Sequence, residues 1–355
     1  MKKILITTIH PAPYFDAWIE SLEKEYELIV VYNYKKSAAK LWNNYVPHEG
    51  IYLSEINLFL LTKMVIYTDF IVLGGWFEFS NLIIILIALL FHKKLACFSD
   101  YPTEIRKKSI KWFLKYLFFH SCIKYILCAT ESTREYYSKV YKYNSKKLKL
   151  FPYGTDFHVP KLSKFNRERQ IKITSGEKIK IFTANNFRER KGYKTLFEAF
   201  ELLKKRSLLD EFEIYIAGAG DEFEYYKEKI NSLVTKIILL GWIETGTYHQ
   251  MMNEADVYVH ASYFEPFGIP PIDAMKRGKC VIVSDGIKST DKLIIDKYNG
   301  YIFKAKNSES LFQTLLDVIQ NKNMLYEIGK RGKKSAEKIY NSNIYLDSIR
   351  DIINE

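Results

Sequence analysis

Short apolar runs alternate with longer amphipathic segments through the first 157 residues of the chain. The runs have the length and the Ile, Leu and Val content of buried strands, while the segments between them repeat apolar residues at helical spacing. The predicted strands are KKILITTI, ELIVVYN, DFIVLGG, KKLACFS, KYILCAT and KLKLFPYG. Predicted helices cover residues 14–25, 81–91, 105–118 and 131–141. This alternation predicts a parallel sheet with helices on both faces.

A polar segment without periodicity interrupts the pattern at residues 158–178 and predicts a connection between two domains. The alternation then restarts with the strands IKIFTANN, EIYIAGAG, KIILLGW and DVYVHAS, separated by helices over 193–206, 221–231 and 245–253. We therefore predict an N-terminal Rossmann-like domain over 1–157 and a C-terminal one over 179–335. A length of 355 residues agrees with two domains.

The formal net charge of +12 implies anionic partners. No helix-turn-helix, zinc-finger or RRM pattern occurs, so lipid and phosphate are favoured over nucleic acid as partners.

The four cysteines (Cys97, Cys122, Cys128 and Cys280) lack metal-ligand spacing. The start MKKILITTIH is interpreted as a buried strand and not as a signal peptide. We therefore expect the protein to be in a reducing cytoplasm. The apolar segment 82–91 is half the length of about 20 residues that spans a bilayer, and we expect a helix buried against a sheet.

The segment EPFGIPPIDAMKRGKCVIVSD, residues 265–285, places an acid before a predicted helix start. It follows the apolar run ADVYVHAS, which predicts a buried strand. Pro270 and Pro271 suit the first turn of a helix, where N–H groups have no partner within the helix. The sequence therefore predicts a strand, a loop that contains Glu265, and a helix with Asp273 in its first turn.

The backbone N–H groups of Phe267, Gly268 and Ile269 would lie at the positive end of this helix dipole. Such a position favours an anionic or hydroxyl-rich ligand. Glu265 is the carboxylate beside it. The other interpretation is a loop glutamate with an aspartate that compensates the dipole.

This segment resembles the signature of retaining glycosyltransferases of family 4, which carry two glutamates with seven residues between them. Glu265 and Asp273 have that spacing, with a second acid that is one methylene shorter. The resemblance implies that Glu265 contacts the donor sugar and that Asp273 binds the ribose hydroxyls of the nucleotide. It also implies the α/β GT-B fold, in which two Rossmann-like domains face each other across a cleft. The last helix of that family commonly crosses back to the N-terminal domain, and residues 336–355 are its candidate.

The turn TANNFRERKGYKTLFEAF brings Arg188, Arg190 and Lys191 to the end of a predicted strand, where α/β proteins bind ligands. A solvated basic loop is the other interpretation. Family 4 enzymes show G-R-x-x-x-x-K-G here, with the arginine and the lysine on the donor diphosphate. Lys191 matches, whereas Asn186 stands at the arginine position, so we expect Arg190 or Arg188 to supply the missing charge.

Further donor-side candidates follow from the same resemblance. Gly218 lies in the strand-end turn IAGAGDE, for which a simple strand–turn–helix junction is an equal interpretation. Trp242 ends the predicted strand KIILLGW, and Ile243 follows it; both would offer main-chain groups and an apolar wall to the nucleobase. The loop SDGIKSTDKLIIDKYNGYIF departs from the family at Ile287 and Lys288, so the sugar is not identified.

The first domain is expected to bind the acceptor. His10 and Asp100 each follow a predicted strand and could face the cleft, although a turn histidine and a helix-capping or turn aspartate are common alternatives.

The segment 104–121, EIRKKSIKWFLKYLFFHS, predicts a basic amphipathic helix with aromatic residues. Glu104, Lys107, Lys108, Lys111 and Lys115 share one face. This pattern is typical of a helix at the lipid interface, and an ordinary packed helix with a solvated face is an equal alternative.

The sequence thus predicts a peripheral membrane enzyme on the cytoplasmic face. It would transfer a sugar from a nucleotide-sugar to a hydroxyl of a lipid-linked or cell-surface polysaccharide acceptor, such as lipopolysaccharide or capsule. Glu265, Arg190 and Lys191 are its expected catalytic residues. The resemblance implies no cofactor and no metal, and no D-x-D motif occurs. A GT-B nucleotide-sugar epimerase and a non-catalytic GT-B scaffold at the membrane are the alternatives.

Overall fold

The computed structural model describes residues 1–35, 48–75, 79–102, 110, 113–114, 117, 121–154, 159–231, 237–341 and 343–355. Contacts divide the chain into two compact units. The first unit comprises Met1–Thr155 together with Tyr340–Glu355, and the second comprises Asp156–Ile339.

In the first unit, the predicted apolar runs form a parallel sheet. Its strands are β1 (Lys3–Thr8), β2 (Glu27–Tyr32), β3 (Ile51–Tyr52), β4 (Phe70–Leu73), β5 (Lys94–Ser99), β6 (Tyr125–Cys128) and β7 (Leu148–Leu150). Their order is β3-β2-β1-β4-β5-β6-β7, so the direction of winding reverses between β1 and β4. The helices described between them are α1 (Pro13–Leu22), α2 (Leu58–Ile66), α3 (Phe79–Leu90) and α4 (Glu131–Val140).

The second unit contains another parallel sheet. Its strands are β8 (Ile179–Ala184), β9 (Phe212–Ala217), β10 (Ile237–Gly241), β11 (Val257–His260), β12 (Cys280–Ser284) and β13 (Tyr301–Phe303). The order is β10-β9-β8-β11-β12-β13, which places the reversal between β8 and β11. The helices are α5 (Ser163–Thr174), α6 (Tyr193–Lys205), α7 (Phe223–Asn231), α8 (Thr245–Glu254), α9 (Ile269–Lys276), α10 (Ser308–Gln320) and α11 (Leu325–Ile339).

The C-terminal helix α12 (Asn343–Asn354) belongs to the first unit, where it contacts α1. The hydroxyl of Ser348 donates a hydrogen bond of 2.8 Å to the carbonyl of Leu150. The Tyr345 ring lies edge-on to Phe151, with ring centroids 5.0 Å apart. Arg350 forms an ion pair with Glu25, through an Nε–Oε2 distance of 2.8 Å. The single helix predicted over 336–355 is therefore divided, and its first residues complete α11.

Helix α5 lies inside segment 158–178, for which the sequence predicted an irregular connection. Its buried side chains are Arg169 and Ile173, so it has no apolar stripe that a sequence pattern could reveal. Arg169 instead donates hydrogen bonds of 3.1 Å and 2.8 Å to the buried Asp256 carboxylate, just before β11. This ion pair attaches α5 to the sheet.

Helix α3 corrects the expectation of a helix buried against the sheet. Ile84, Ile85, Ile87 and Ala88 are buried, but Leu82, Leu86, Leu89 and Leu90 are exposed.

The described parts of the chain contain no helix that is long and apolar enough to cross a membrane. Most of the predicted basic helix 104–121, with all five residues of its charged face, lies outside the described residues.

Candidate functional site

The candidate donor site lies at the carboxyl ends of β8 and β11, the adjacent strands between which the second sheet reverses its winding. Open α/β sheets bind ligands at such a switch point because the loops that follow the two strands diverge and leave a crevice. The loop after β8 carries Arg190 and Lys191, and the loop after β11 carries Glu265. The structure thus brings together the three predicted catalytic residues, although Glu265 is about 75 positions from the two adjacent cations in the sequence.

Glu265 is the centre of this group. Lys191 Nζ donates a hydrogen bond to its Oε1, and Arg190 Nη1 lies 3.4 Å from its Oε2. The hydroxyl of Ser262 donates a further hydrogen bond of 2.9 Å to Oε1. The side chain of Glu265 is buried and that of Lys191 is largely buried, whereas that of Arg190 is 57% exposed. Arg190 therefore presents a solvent-accessible cation beside a buried ion pair.

Backbone contacts between the two loops hold this geometry. Gly192 adopts a left-handed conformation with φ of 75°, and a Cβ atom there would lie 1.9 Å from the carbonyl oxygen of Ala261. Only glycine permits such an approach. The amide of Tyr263 also donates a hydrogen bond of 2.8 Å to the carbonyl of Arg190. The lysine–glycine pair after β8 therefore fixes the cations against the loop that carries Glu265.

A polar chain that the sequence analysis did not identify lies beneath Glu265. His260, at the end of β11, is 3.3 Å from the Ser262 hydroxyl through Nε2 and 3.2 Å from the Tyr258 hydroxyl through Nδ1. Asn185, after β8, donates a hydrogen bond of 3.0 Å to the same serine hydroxyl. A histidine at the carboxyl end of a buried strand was the available signal, because polar residues there face the ligand end of the sheet.

Burial and pairing oppose each other in the ionisation of this group. Burial raises the pKa of Glu265, but the hydrogen bond of His260 and the charge of Lys191 lower it by more than burial raises it. The pKa of Glu265 is therefore well below its usual range. Burial lowers the pKa of Lys191, and the attraction of Glu265 offsets part of that effect. Burial also lowers the pKa of His260. The site therefore combines a carboxylate with a neutral imidazole at neutral pH.

The helix after Glu265 begins as the prolines predicted, at Ile269, with Gly268 in a left-handed conformation at its N-cap (φ 96°). Phe267 is buried. The sequence predicted Asp273 in the first turn of α9, and this prediction is wrong. Asp273 is the fifth helical residue and lies in the second turn. Its carboxylate is buried and accepts a hydrogen bond of 3.3 Å from the Tyr248 hydroxyl. A ribose contact by Asp273 stays a prediction.

The other donor-side candidates lie in loops at the same edge of the sheet. Asn186 is half-buried beside Asn185, and Arg188 is exposed at the start of the basic turn. A Cβ atom at Gly218 would lie 1.8 Å from the carbonyl oxygen of Asn185, so this glycine permits close packing of two strand ends. Trp242 is 45% exposed, and Ile243 is half-buried after β10. Their roles with a ligand stay predictions.

The two acceptor-side candidates are connected in the first unit by tyrosines that the sequence analysis did not single out. The hydroxyl of Tyr14 lies 3.3 Å from His10 Nε2. The Tyr14 ring lies edge-on to Tyr153, and the Tyr153 hydroxyl donates a hydrogen bond of 2.8 Å to Asp100 Oδ2. Burial raises the pKa of Asp100 to about 6, although the Tyr153 hydrogen bond lowers it in part. This cluster joins the carboxyl ends of β1 and β5.

Residues 164–335, which include the whole candidate donor site, match the family model for glycosyl transferases group 1. These residues, slightly less than half of the chain, are similar to this family. Its group 1 region is also 26% identical over 193 residues to an uncharacterized glycosyltransferase, MJ1607, of Methanocaldococcus jannaschii, a match that covers 52% of this chain and 48% of that protein. It is 25% identical over 181 residues to the poly(glycerol-phosphate) alpha-glucosyltransferase of Bacillus subtilis, covering 50% of this chain and 26% of that protein. The chain therefore spans at most about half the length of these relatives.

The chain also resembles the HepE protein of Anabaena, whose structure was determined in complex with UDP. The TM-score is 0.76, with 15% identity and full coverage of both chains. This similarity confirms the predicted fold class, α/β of the GT-B type with two Rossmann-like units.

Proposed function

We propose that this protein is a retaining glycosyltransferase that transfers a sugar from a nucleoside-diphosphate sugar to a hydroxyl of a lipid-linked or cell-surface polysaccharide acceptor. The observation that carries the proposal is the convergence of Arg190, Lys191 and Glu265 at the switch point between β8 and β11. Two cations and one acid at this position suit a ligand with a diphosphate and a sugar hydroxyl.

In this proposal, Arg190 and Lys191 bind the diphosphate and stabilise the negative charge that develops on it as the bond to the sugar breaks. Preorganised charges in a water-poor site supply much of the catalysis in such reactions. Glu265 accepts hydrogen bonds from the donor sugar and holds it in position for the acceptor. Because both cations are protein side chains, no metal is required to neutralise the leaving group.

The donor that we propose is a uridine diphosphate sugar. The structural similarity to HepE, whose structure was determined in complex with UDP, supports this choice. Trp242 and Ile243 would contact the base, and the backbone amides near Gly268 would supplement the cations. The acceptor would bind in the first unit, where Asp100 and His10 could orient its reactive hydroxyl.

We also propose that the enzyme acts at the cytoplasmic face of an anionic membrane. The net charge of +12 supports this location, as do the five basic residues between Arg106 and Lys115. Such a cluster attracts anionic lipid with about 1 kcal/mol for each basic residue.

Calorimetric titration of UDP and of uridine tests the donor assignment. We expect R190A/K191A to weaken UDP binding by at least about a hundredfold, because each charged hydrogen bond contributes about 1.5–3 kcal/mol. Uridine binding should be unchanged, which also shows that the variant is folded. The control K194A/R206A removes two exposed cations of the same unit and should bind both ligands normally. Equal losses for UDP and uridine would exclude the assignment.

A further inference from the structure

The exposed apolar residues of the first unit are concentrated in two helices that pack against each other. Helices α2 and α3 are in contact and share one core. On their outer surface, Leu58 and Phe59 of α2 are exposed, and so are Leu86 and Leu90 of α3. We call this surface the α2–α3 face, and we define it by the exposed residues Leu58, Phe59, Leu82, Leu86, Leu89 and Leu90.

The α2–α3 face is not the ordinary surface of an amphipathic helix. Leu82, Leu86, Leu89 and Leu90 follow each other at helical spacing along the side of α3 opposite to its buried residues. A water-facing stripe normally carries charged or polar side chains at these positions. A row of exposed apolar side chains of this kind marks a contact with another apolar phase or molecule.

Charge indicates which partner the α2–α3 face suits. Residues 56–68 and 79–99 contain no Asp or Glu, but they contain Lys63, Lys93 and Lys94. The next segment, 105–130, also has no acid, and its residues Ile110, Phe113, Leu114 and Leu117 are exposed. A second copy of the chain would bring like charges together around the same patch, whereas an anionic lipid surface supplies the opposite charge and an apolar interior.

We infer that the α2–α3 face inserts its apolar side chains into the acyl region of an anionic lipid monolayer. This inference rests on the proposed function in one respect: membrane insertion would bring the enzyme to a lipid-linked acceptor. This mode of binding differs from the attraction between basic residues and anionic lipid in its dependence on salt. Salt screens the charges but does not weaken the burial of apolar side chains. Binding through this face should therefore persist at high ionic strength.

Flotation with vesicles of phosphatidylcholine and phosphatidylglycerol, without nucleotide, tests the inference. Wild-type protein should remain bound at about 1 M NaCl, where the Debye length is ~3 Å. The variant F59S/L86S/L90S replaces side chains that are 62–79% exposed, and its partition coefficient at high salt should fall by about a hundredfold. The control I171S/Y225S/I295S changes three side chains of the second unit that are 60–63% exposed, and it should float like wild type.

The inference would be overturned if the wild-type protein did not bind the vesicles, or if it dissociated from them entirely at high salt. Equal losses of binding in the test and control variants would also overturn it. So would a wild-type dimer in sedimentation that the variant F59S/L86S/L90S dissociates. A thermal-shift measurement with UDP separates this test from that of the proposed function. Absence of a shift in wild-type protein would count against the donor site alone, while a normal shift in the variant would show that its second unit is intact.

Discussion

Lys191 donates a hydrogen bond to Glu265, so the acid expected on the donor sugar is paired with a cation expected on the donor diphosphate. Arg190 approaches the same carboxylate from the other side. Glu265 thus offsets part of the charge of the two cations that we propose to bind phosphate. A donor that binds here must compete with this carboxylate for the cations.

The first prediction concerns this competition. Glu265→Gln should lower turnover by at least about a hundredfold, because the donor sugar loses a charged acceptor. It should also strengthen UDP binding by about tenfold, because the two cations no longer have an internal counter-ion. Steady-state rates and calorimetry measure the two effects. Glu189→Gln removes an exposed acid of the same loop and should change neither, whereas weaker UDP binding by Glu265→Gln would contradict the competition.

The second prediction assigns a positioning role to His260. His260→Leu removes the polar group beneath Ser262 and should lower kcat by about tenfold, with UDP affinity nearly unchanged. His260→Asn keeps a polar side chain and should recover part of the loss. Because burial lowers the pKa of His260, no limb of the pH–rate profile near pH 6.5 should depend on this histidine. An asparagine variant as impaired as the leucine variant would show that only packing matters.

The third prediction concerns Asp100 and pH. The pKa of Asp100 in the folded chain is raised from 3.8 to about 6, so the folded state binds the proton more tightly than the unfolded chain. Stability from this group is therefore present below about pH 4 and is lost as the pH rises through about 6, by at most about 3 kcal/mol. Asp100→Asn should remove this dependence in urea unfolding between pH 4 and 7. Asp210→Asn, at an exposed site, should keep the wild-type slope, and an unchanged slope in Asp100→Asn would refute the assignment.

The fourth prediction compares two glycines. Gly192→Ala should lower the free energy of unfolding by several kcal/mol, because the new Cβ atom would clash with the carbonyl of Ala261. Gly246 lies in α8, where a Cβ atom would have no neighbouring atom within 4 Å, so Gly246→Ala should raise stability by up to about 1 kcal/mol. Chemical denaturation of both variants measures the difference. A Gly192→Ala variant as stable as the wild type would show that the close approach at Gly192 is not essential.

The strands could be predicted because parallel strands covered on both faces are continuous apolar runs. β3, with only Ile51 and Tyr52, is too short to produce such a run. Helix α5 was missed for another reason, since the Arg169–Asp256 ion pair, not an apolar stripe, attaches it to the sheet. Pairing across 87 positions leaves no local signal in the sequence.

The candidate donor site was predicted through motifs, because the residues that meet at the switch point are each adjacent to a strand end. Glu265, Arg190 and Lys191 were found in this way. His260, Ser262 and Asn185 were not, because their importance comes from contacts between β8 and β11 that only the sheet order creates. The turn that holds Asp273 was predicted wrongly although the helix start was predicted correctly, because a helix that begins at Ile269 completes its first turn of about 3.6 residues before Asp273.

Helix α12 makes the first unit discontinuous in the sequence, since residues 340–355 return to a body otherwise built from residues 1–155. During translation, the first sheet leaves the ribosome long before this helix is made. The second unit, which is continuous, can complete its own core earlier. The nascent first unit must therefore wait, with the surface that contacts α12 uncovered, until synthesis reaches the helix that closes it.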